Sequence, residues 1–186
     1  MKQTWSASNY ACHGGFVPQL GAPLLELLAP QPGESVLDLG CGDGVLSEEI
    51  ARAGAQVIGV DSLTELVAAA RARGLTVHLA DAQALDLDLN VDAVFSNAAL
   101  HWMPNADAVL SGVKRILKKG GRFVGELGGH GNIAAIVTAM LAALDARGID
   151  GLERWCWYFP SPADYQARLE RHGFRVESIT LFARPT

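Results

Sequence analysis

The stretch Val36-Leu-Asp-Leu-Gly-Cys-Gly-Asp-Gly44 places glycines at positions 40, 42 and 44, directly after an apolar run. A short apolar run closed by glycine predicts a buried strand, Ser35–Leu39. In Val45–Ala53 the apolar residues recur three and four apart and Gly54 follows, which predicts a helix with a glycine cap. A parallel strand that turns into a helix leaves unpaired N–H groups and the positive end of the helix dipole at one edge of a sheet. That edge suits a polar or anionic ligand. Glycine is needed in such a loop because a side chain would block the ligand's close approach or demand a positive φ.

The unit recurs. Gln56–Val60 predicts a second strand, Asp61 or Ser62 caps a helix over Leu63–Arg73, and Gly74 closes it. Val77–Ala80 and Val91–Ser96 predict the third and fourth strands, Ala106–Ile116 a helix, and Arg122–Leu127 a fifth strand after the turn Lys118-Lys119-Gly120-Gly121. A helix over Pro23–Leu28 precedes the first strand. Ile133–Arg147 and Ala163–Arg171 read as further helices, and Phe174–Ala183 alternates well enough for a sixth strand. Strands alternating with helices predict the α/β class, a doubly wound, mostly parallel sheet with helices on both faces. A chain of 186 residues, 49% apolar, suits one domain over residues 1–186 built on one core.

Charge and cysteine usage remove several function classes. The formal charge of −5 comes without a basic stripe, so the electrostatic footprint of a nucleic-acid binder is missing. Cys12, Cys41 and Cys156 are odd in number and lack CxxC spacing, against both a disulfide framework and a zinc site, and in favour of a reducing compartment. The N-terminus has no continuous apolar segment of the secretory kind, and no apolar run approaches the roughly 20 residues that span a bilayer. A cytoplasmic protein without nucleic-acid or membrane partners is expected. The glycine loop itself admits three readings. A dinucleotide GxGxxG would need a third small residue where Val45 stands, and a P-loop would need Gly-Lys-Ser/Thr, which is absent. What remains is acid-x-Gly-x-Gly-x-Gly, with Asp38 in the acid position.

In this pattern the chain resembles the class I S-adenosylmethionine-dependent methyltransferases, and VLDLGCGDG is similar to their first motif. Taken singly, Asp61 reads as a helix cap and Asp81 as a loop carboxylate. Together they fall at successive strand ends, in VIGVD and VHLADA, where the family's acidic residue grips the ribose hydroxyls and its third-strand loop reads adenine. The resemblance implies a Rossmann-like fold and S-adenosyl-L-methionine as cofactor, contacted by Gly40, Gly42, Gly44, Asp61, Ser62, Asp81 and the backbone of Ala82. Asp38 either joins them or fixes the loop. Asn97, just past the fourth strand, either lines the cofactor pocket or shapes a turn.

Further along, Ser96-Asn-Ala-Ala-Leu-His-Trp102, Gly125-Glu-Leu-Gly-Gly-His-Gly-Asn132 and Trp157-Tyr-Phe-Pro-Ser-Pro162 resemble the branch that includes trans-aconitate methyltransferase, often called methyltransferase type 11. By that resemblance residues 1–30 form an N-terminal arm and helix over the cofactor, carrying Trp5 and Tyr10, and residues 31–186 the αβ core. Tyr10 then joins the cofactor contacts, while Trp5, Trp102, His130 and Trp157 are candidates for the acceptor pocket. The alternatives for these residues are packing and turn formation. The segment after the fourth strand lacks the Asn/Asp-Pro-Pro-aromatic motif of the nucleic-acid amine methyltransferases, and the segment after the fifth lacks a magnesium-holding carboxylate cluster. No metal is expected.

A sulfonium methyl group is already activated, so a protein of this kind needs alignment and exclusion of water more than a triad. A carboxylate acceptor requires only a clamp; a hydroxyl acceptor requires a base. His101 is the candidate for either job, with a satisfied structural histidine as the alternative. The expected activity is methyl transfer to an oxygen of a small molecule. The competing readings are a nicotinamide-dependent oxidoreductase, disfavoured by Val45 and by the absence of Tyr-x-x-x-Lys, and a cofactor-binding protein without turnover. The family's seventh strand inserts between the fifth and sixth, and the chain stops right after the sixth on this count. An exposed strand of that kind invites self-association.

Overall fold

Residues 20–153 and 155–184 are described in the computed structural model. Strand β1 (Ser35–Leu39) carries Val36, Leu37 and Leu39, and its last four residues, Asp38 among them, are buried. It can be so because both faces are covered. Val36 turns to one face, against Leu24 and Leu28 of helix α1 (Ala22–Leu28) and Leu46 and Ile50 of α2 (Val45–Arg52). Leu37 and Leu39 belong to the other cluster, with Val109, Val113 and Ile116 of α4 (Ala106–Ile116).

On one side β1 pairs in parallel with β2 (Gln56–Asp61), which pairs with β3 (Thr76–Leu79); on the other it pairs with β4 (Val91–Asn97), which pairs with β5 (Leu117–Glu126). The order β3-β2-β1-β4-β5 reverses direction between β1 and β4. The crevice beyond the carboxyl ends of these two strands is where such sheets take ligands. Helix α3 (Thr64–Ala72) packs Val67 and Ala70 against Val77 and Cys41, and α5 (Ala134–Asp145) and α6 (Pro162–Arg171) follow the sheet. Asn105 and Ser161 cap α4 and α6, their side chains accepting from Ala108 N and Asp164 N.

Two of the loop glycines are fixed by packing. Gly40 has φ +78, and a Cβ there would lie 2.3 Å from Ala99 Cβ, so the loop after β1 and the loop after β4 meet at van der Waals limits. Gly44 has φ +84, and its Cβ would lie 2.5 Å from Leu75 Cδ1 and 3.1 Å from Ala70 Cβ. It keeps the start of α2 against α3.

The expected bounds hold for β1 and α4 and shift by a few residues elsewhere. Strand β5 begins at Leu117, ahead of the expected turn, because a register shift between Val91 and Ala93 carries the pairing through the Lys118–Gly121 stretch. The sixth strand is a correction: residues 174–183 lie outside the sheet. Alternating side chains satisfy only half the requirement for a strand, since a partner's N–H and C=O groups must also fall in register. The segment is held by side chains instead. Phe174 packs on Phe123 with ring centroids 6.1 Å apart, Lys114 Nζ donates to Gly173 O at 2.8 Å, and Arg184 pairs with Glu126 at the far end. Among the described residues β5 is therefore an edge strand, and no helix is long and apolar enough to cross a membrane.

Gly44 and Gly74 share φ +84, but a Cβ at Gly74 meets nothing within 4 Å. Gly74→Ala is expected to cost about 1–2 kcal/mol, the left-handed penalty alone, and Gly44→Ala about 2–4 kcal/mol in urea unfolding, because crowding adds to it. Equal losses would show that packing at Gly44 contributes nothing.

Candidate functional site

A cleft of about 1310 Å³ runs from the carboxyl ends of the strands along β5 and residues 173–182; at the strand ends it is lined by Gly40, Gly42, Asp61, Asp81, Asn97 and His101. Asp61, the last residue of β2, organises its floor. Its Oδ2 accepts from Gly42 N at 3.0 Å and its Oδ1 from Leu63 N at 2.9 Å, so one carboxylate joins the glycine loop to the turn entering α3. Burial raises its pKa, and the backbone donors pull the other way. Each oxygen keeps lone-pair capacity for a further donor.

Asp81 heads the next turn. Its Oδ1 accepts from Gln83 N at 2.8 Å, and Gln83 Oε1 in turn accepts from Asn105 N at 2.9 Å, which ties this turn to the start of α4. Ala82 is buried beside it, and both Ala82 and Ser62 line the cleft. Asn97 ends β4; it is 9% exposed, and its Oδ1 is buried with no hydrogen-bond partner among the described residues. A buried acceptor left without a donor costs about 1–3 kcal/mol, so this atom is suited to a ligand's N–H or O–H. The glycine approach, the strand-end carboxylates and the orphaned Asn97 oxygen together fit the aminoacyl nucleoside that the sequence implies.

Asp38 lies beneath this floor, outside the lining. It is 2% exposed and accepts from Ser47 Oγ at 2.5 Å, fixing the first turn of α2. Desolvation raises its pKa to about 7, against the Ser47 hydrogen bond and with help from the nearby Asp61 charge. Gly44 is likewise off the lining, held by Leu75 and Ala70. Cys41 is buried under the loop, and burial pushes its thiol pKa far up.

His101 occupies a short helical turn, Leu100–Trp102, that follows β4. Gly128 N donates to its Nδ1 at 3.1 Å, and its own carbonyl accepts from Tyr158 N at 2.9 Å. An accepting Nδ1 places the proton of the neutral ring on Nε2. Burial depresses the pKa to about 4, so the ring is neutral at physiological pH. Of the two expected jobs, base and clamp, this tautomer leaves the clamp, because its one free lone pair is already engaged with Gly128. Sequence alone could not assign it, since the partner is a backbone amide 27 residues away.

An aromatic wall adjoins His101. Its ring centroid is 5.4 Å from that of Trp102 and 6.0 Å from that of Phe159; Trp102 is 5.6 Å from Trp157, which stacks on Phe159 at 5.9 Å. Trp102 lines the cleft, whereas Trp157 stands behind it. His130 is exposed and off the lining, its N–H donating to Pro160 O at 2.9 Å. Trp5 and Tyr10 lie outside the described residues. The residue missed is Glu126, which ends β5 inside the cleft and pairs with Arg184. Its signal was the rule already applied to Asp61: a carboxylate at the carboxyl end of a parallel strand.

A family model described as Methyltransferase domain matches residues 37–125. The chain is 38% identical over 197 aligned residues to an uncharacterized methyltransferase of Schizosaccharomyces pombe, covering 98% of this chain and 75% of that protein. It is 32% identical over 160 residues to a ubiquinone biosynthesis O-methyltransferase of Xanthomonas oryzae, covering 80% of this chain and 65% of the relative. A trans-aconitate 2-methyltransferase of Mycobacterium tuberculosis is 34% identical over 108 residues, which are 57% of this chain and 41% of that protein. Beyond the yeast protein, then, the chain spans less than two thirds of these relatives' length. Among solved structures, magnesium protoporphyrin IX methyltransferase of Synechocystis with bound S-adenosylhomocysteine superposes with a TM-score of 0.67 at 24% identity, over 96% of this chain and 81% of the other, which shows a shared fold.

The two shifted buried groups give opposite pH slopes. His101 falls from 6.5 to about 4 on folding, so its neutral form contributes stability that is complete above about pH 6.5 and lost toward pH 4. Asp38 rises from 3.8 to about 7, so its contribution is complete below about pH 3.8 and lost as pH rises to 7. Relative to the wild type, H101Q is expected to gain on the order of 3 kcal/mol between pH 7 and pH 4, and D38N to gain as pH rises over the same span. Urea unfolding at a series of pH values checks this; parallel wild-type and variant curves would contradict it.

Proposed function

The chain belongs to the S-adenosylmethionine-dependent methyltransferases, and from that premise we propose that it methylates an oxygen, hydroxyl or carboxylate, of a small-molecule acceptor. The observation that carries the cofactor part is the Asp61 carboxylate, fixed by Gly42 N and Leu63 N with acceptor capacity left toward the cleft. Asp61 and Ser62 would hold the ribose, Asp81 and Ala82 the adenine side, and Asn97 Oδ1 an ammonium donor at the methionine end. When bound, the cofactor supplies a methyl group on a positively charged sulfur, transferred as the carbon–sulfur bond breaks and its electron pair stays on sulfur.

The residues of this chain orient the acceptor and keep water out. His101 Nε2–H is a donor for an acceptor oxygen, and Trp102, backed by Trp157 and Phe159, offers an apolar wall for a planar or apolar body. Support for an oxygen acceptor comes from the relatives: the Xanthomonas protein is an O-methyltransferase and the mycobacterial one acts on trans-aconitate, a carboxylate. The acidic balance supports a small molecule over nucleic acid, and the cysteine usage a cytoplasmic location. We read residues 1–186 as one domain, with the outer edge of β5 as the surface for self-association.

Asp61→Ala is expected to weaken S-adenosylhomocysteine binding by about ten- to a hundredfold, the range of a charge-assisted hydrogen bond, with far-ultraviolet dichroism unchanged. Transfer of labelled methyl from S-adenosylmethionine to phenolic and carboxylic probes should occur in the wild type and collapse in the variant at low cofactor concentration. Labelling confined to amine probes would overturn the oxygen reading, and unchanged affinity in the variant would overturn the role of Asp61.

A further inference from the structure

We propose that the Glu126 carboxylate is the proton acceptor for a hydroxyl group methylated in this cleft, and that Arg184 positions it. This rests on the methyl-transfer reading above and names its acceptor as a hydroxyl compound. The case begins with His101, whose Nδ1 lone pair is taken by Gly128 N and whose Nε2 carries the proton. That ring donates and cannot accept.

Among the described residues, the carboxylates that line the cleft are Asp61, Asp81, Glu126 and Glu177. Asp61 and Asp81 are bonded to the backbone amides of the two cofactor turns. Glu177 pairs with Arg175 out in solvent, their side chains 73% and 88% exposed. Glu126 differs in place and setting. It is the last residue of β5, in register with Asn97 at the end of β4, and its carbonyl accepts from Ala98 N at 3.0 Å. Its side chain is 19% exposed and stands beside the crevice where the strand order reverses.

Arg184 meets both carboxylate oxygens, one guanidinium nitrogen to each, and also donates to Leu20 O at 3.2 Å. Such a fork fixes the plane of a carboxylate and leaves a second lone pair on each oxygen. The other charged groups of the cleft are committed elsewhere: Arg122 to Glu34, Lys114 to Gly173 O, and Asp61 and Asp81 to their turns. Burial lifts the Glu126 pKa above its ordinary value despite Arg184, moving it toward that of a useful base. In the reaction the acceptor's O–H bond breaks, its electron pair is retained by the oxygen that bonds to the methyl carbon, and the proton passes to Glu126. The glutamic acid then returns the proton to solvent.

The test compares wild type and Glu126→Gln with catechol as hydroxyl probe and trans-aconitate as carboxylate probe, beside S-adenosylhomocysteine affinity. The variant should lose about 10²- to 10⁴-fold in kcat on the hydroxyl probe and far less on trans-aconitate, with S-adenosylhomocysteine still bound. Retention of the hydroxyl rate, an equal loss on trans-aconitate, or wild-type turnover of trans-aconitate alone would each overturn the proposal. Carbon-13 titration of the Glu126 carboxyl in the S-adenosylhomocysteine complex gives a readout free of turnover. A midpoint above that of ordinary glutamate, rising further in R184A, supports the proposal, and a midpoint at or below it overturns it. If neither probe is methylated, the oxygen-methylation reading fails, and the titration still decides whether Glu126 is a poised base.

Discussion

One carboxylate holds the ligand-facing edge of this sheet in shape. Asp61 takes Gly42 N on one oxygen and Leu63 N on the other, and thereby locks the loop after β1 to the turn after β2. Both are amides just ahead of a helix, so a single side chain satisfies two backbone donors that neither strand nor helix pairing takes up. The tight meeting of Gly40 with Ala99 then brings the loop after β4 against the same floor. Without these two contacts the strand ends would still be parallel, but they would not form a continuous cradle.

Burial sorts the ionisable groups around that cradle into different tasks. Asp38 is raised to about 7 beneath the floor and bonds Ser47, a structural position. His101 is lowered to about 4 and becomes a neutral donor. Glu126 is raised while still paired with Arg184 and facing the cleft. The same cause, loss of water, favours the uncharged form in all three, and the available partners decide the outcome.

Much of this was legible in the residues. The glycine spacing and the apolar run located β1 to the residue, because a strand buried on both faces needs continuous apolarity and the turn after it needs positive φ. Asp61 and Asp81 were legible because strand ends converge in a parallel sheet. Four things were not. The alternation in residues 174–183 imitates a strand, but pairing depends on a neighbour's backbone, and side-chain anchors hold that segment beside β5 instead. The third loop glycine looks like a ligand contact, yet Leu75 and Ala70 impose it. The tautomer of His101 depends on a backbone amide from another loop, and the place of His130 outside the cleft depends on how the loop after β5 runs against Pro160. Contacts between distant segments leave little trace in local spacing.

The claim that the strand-end cradle holds S-adenosylmethionine is tested most directly by calorimetric titration of the chain with S-adenosylhomocysteine and, separately, with NAD. Saturable binding of S-adenosylhomocysteine at one equivalent per chain, with no heat from NAD, is the expected result. Saturable NAD binding with no response to S-adenosylhomocysteine would contradict it.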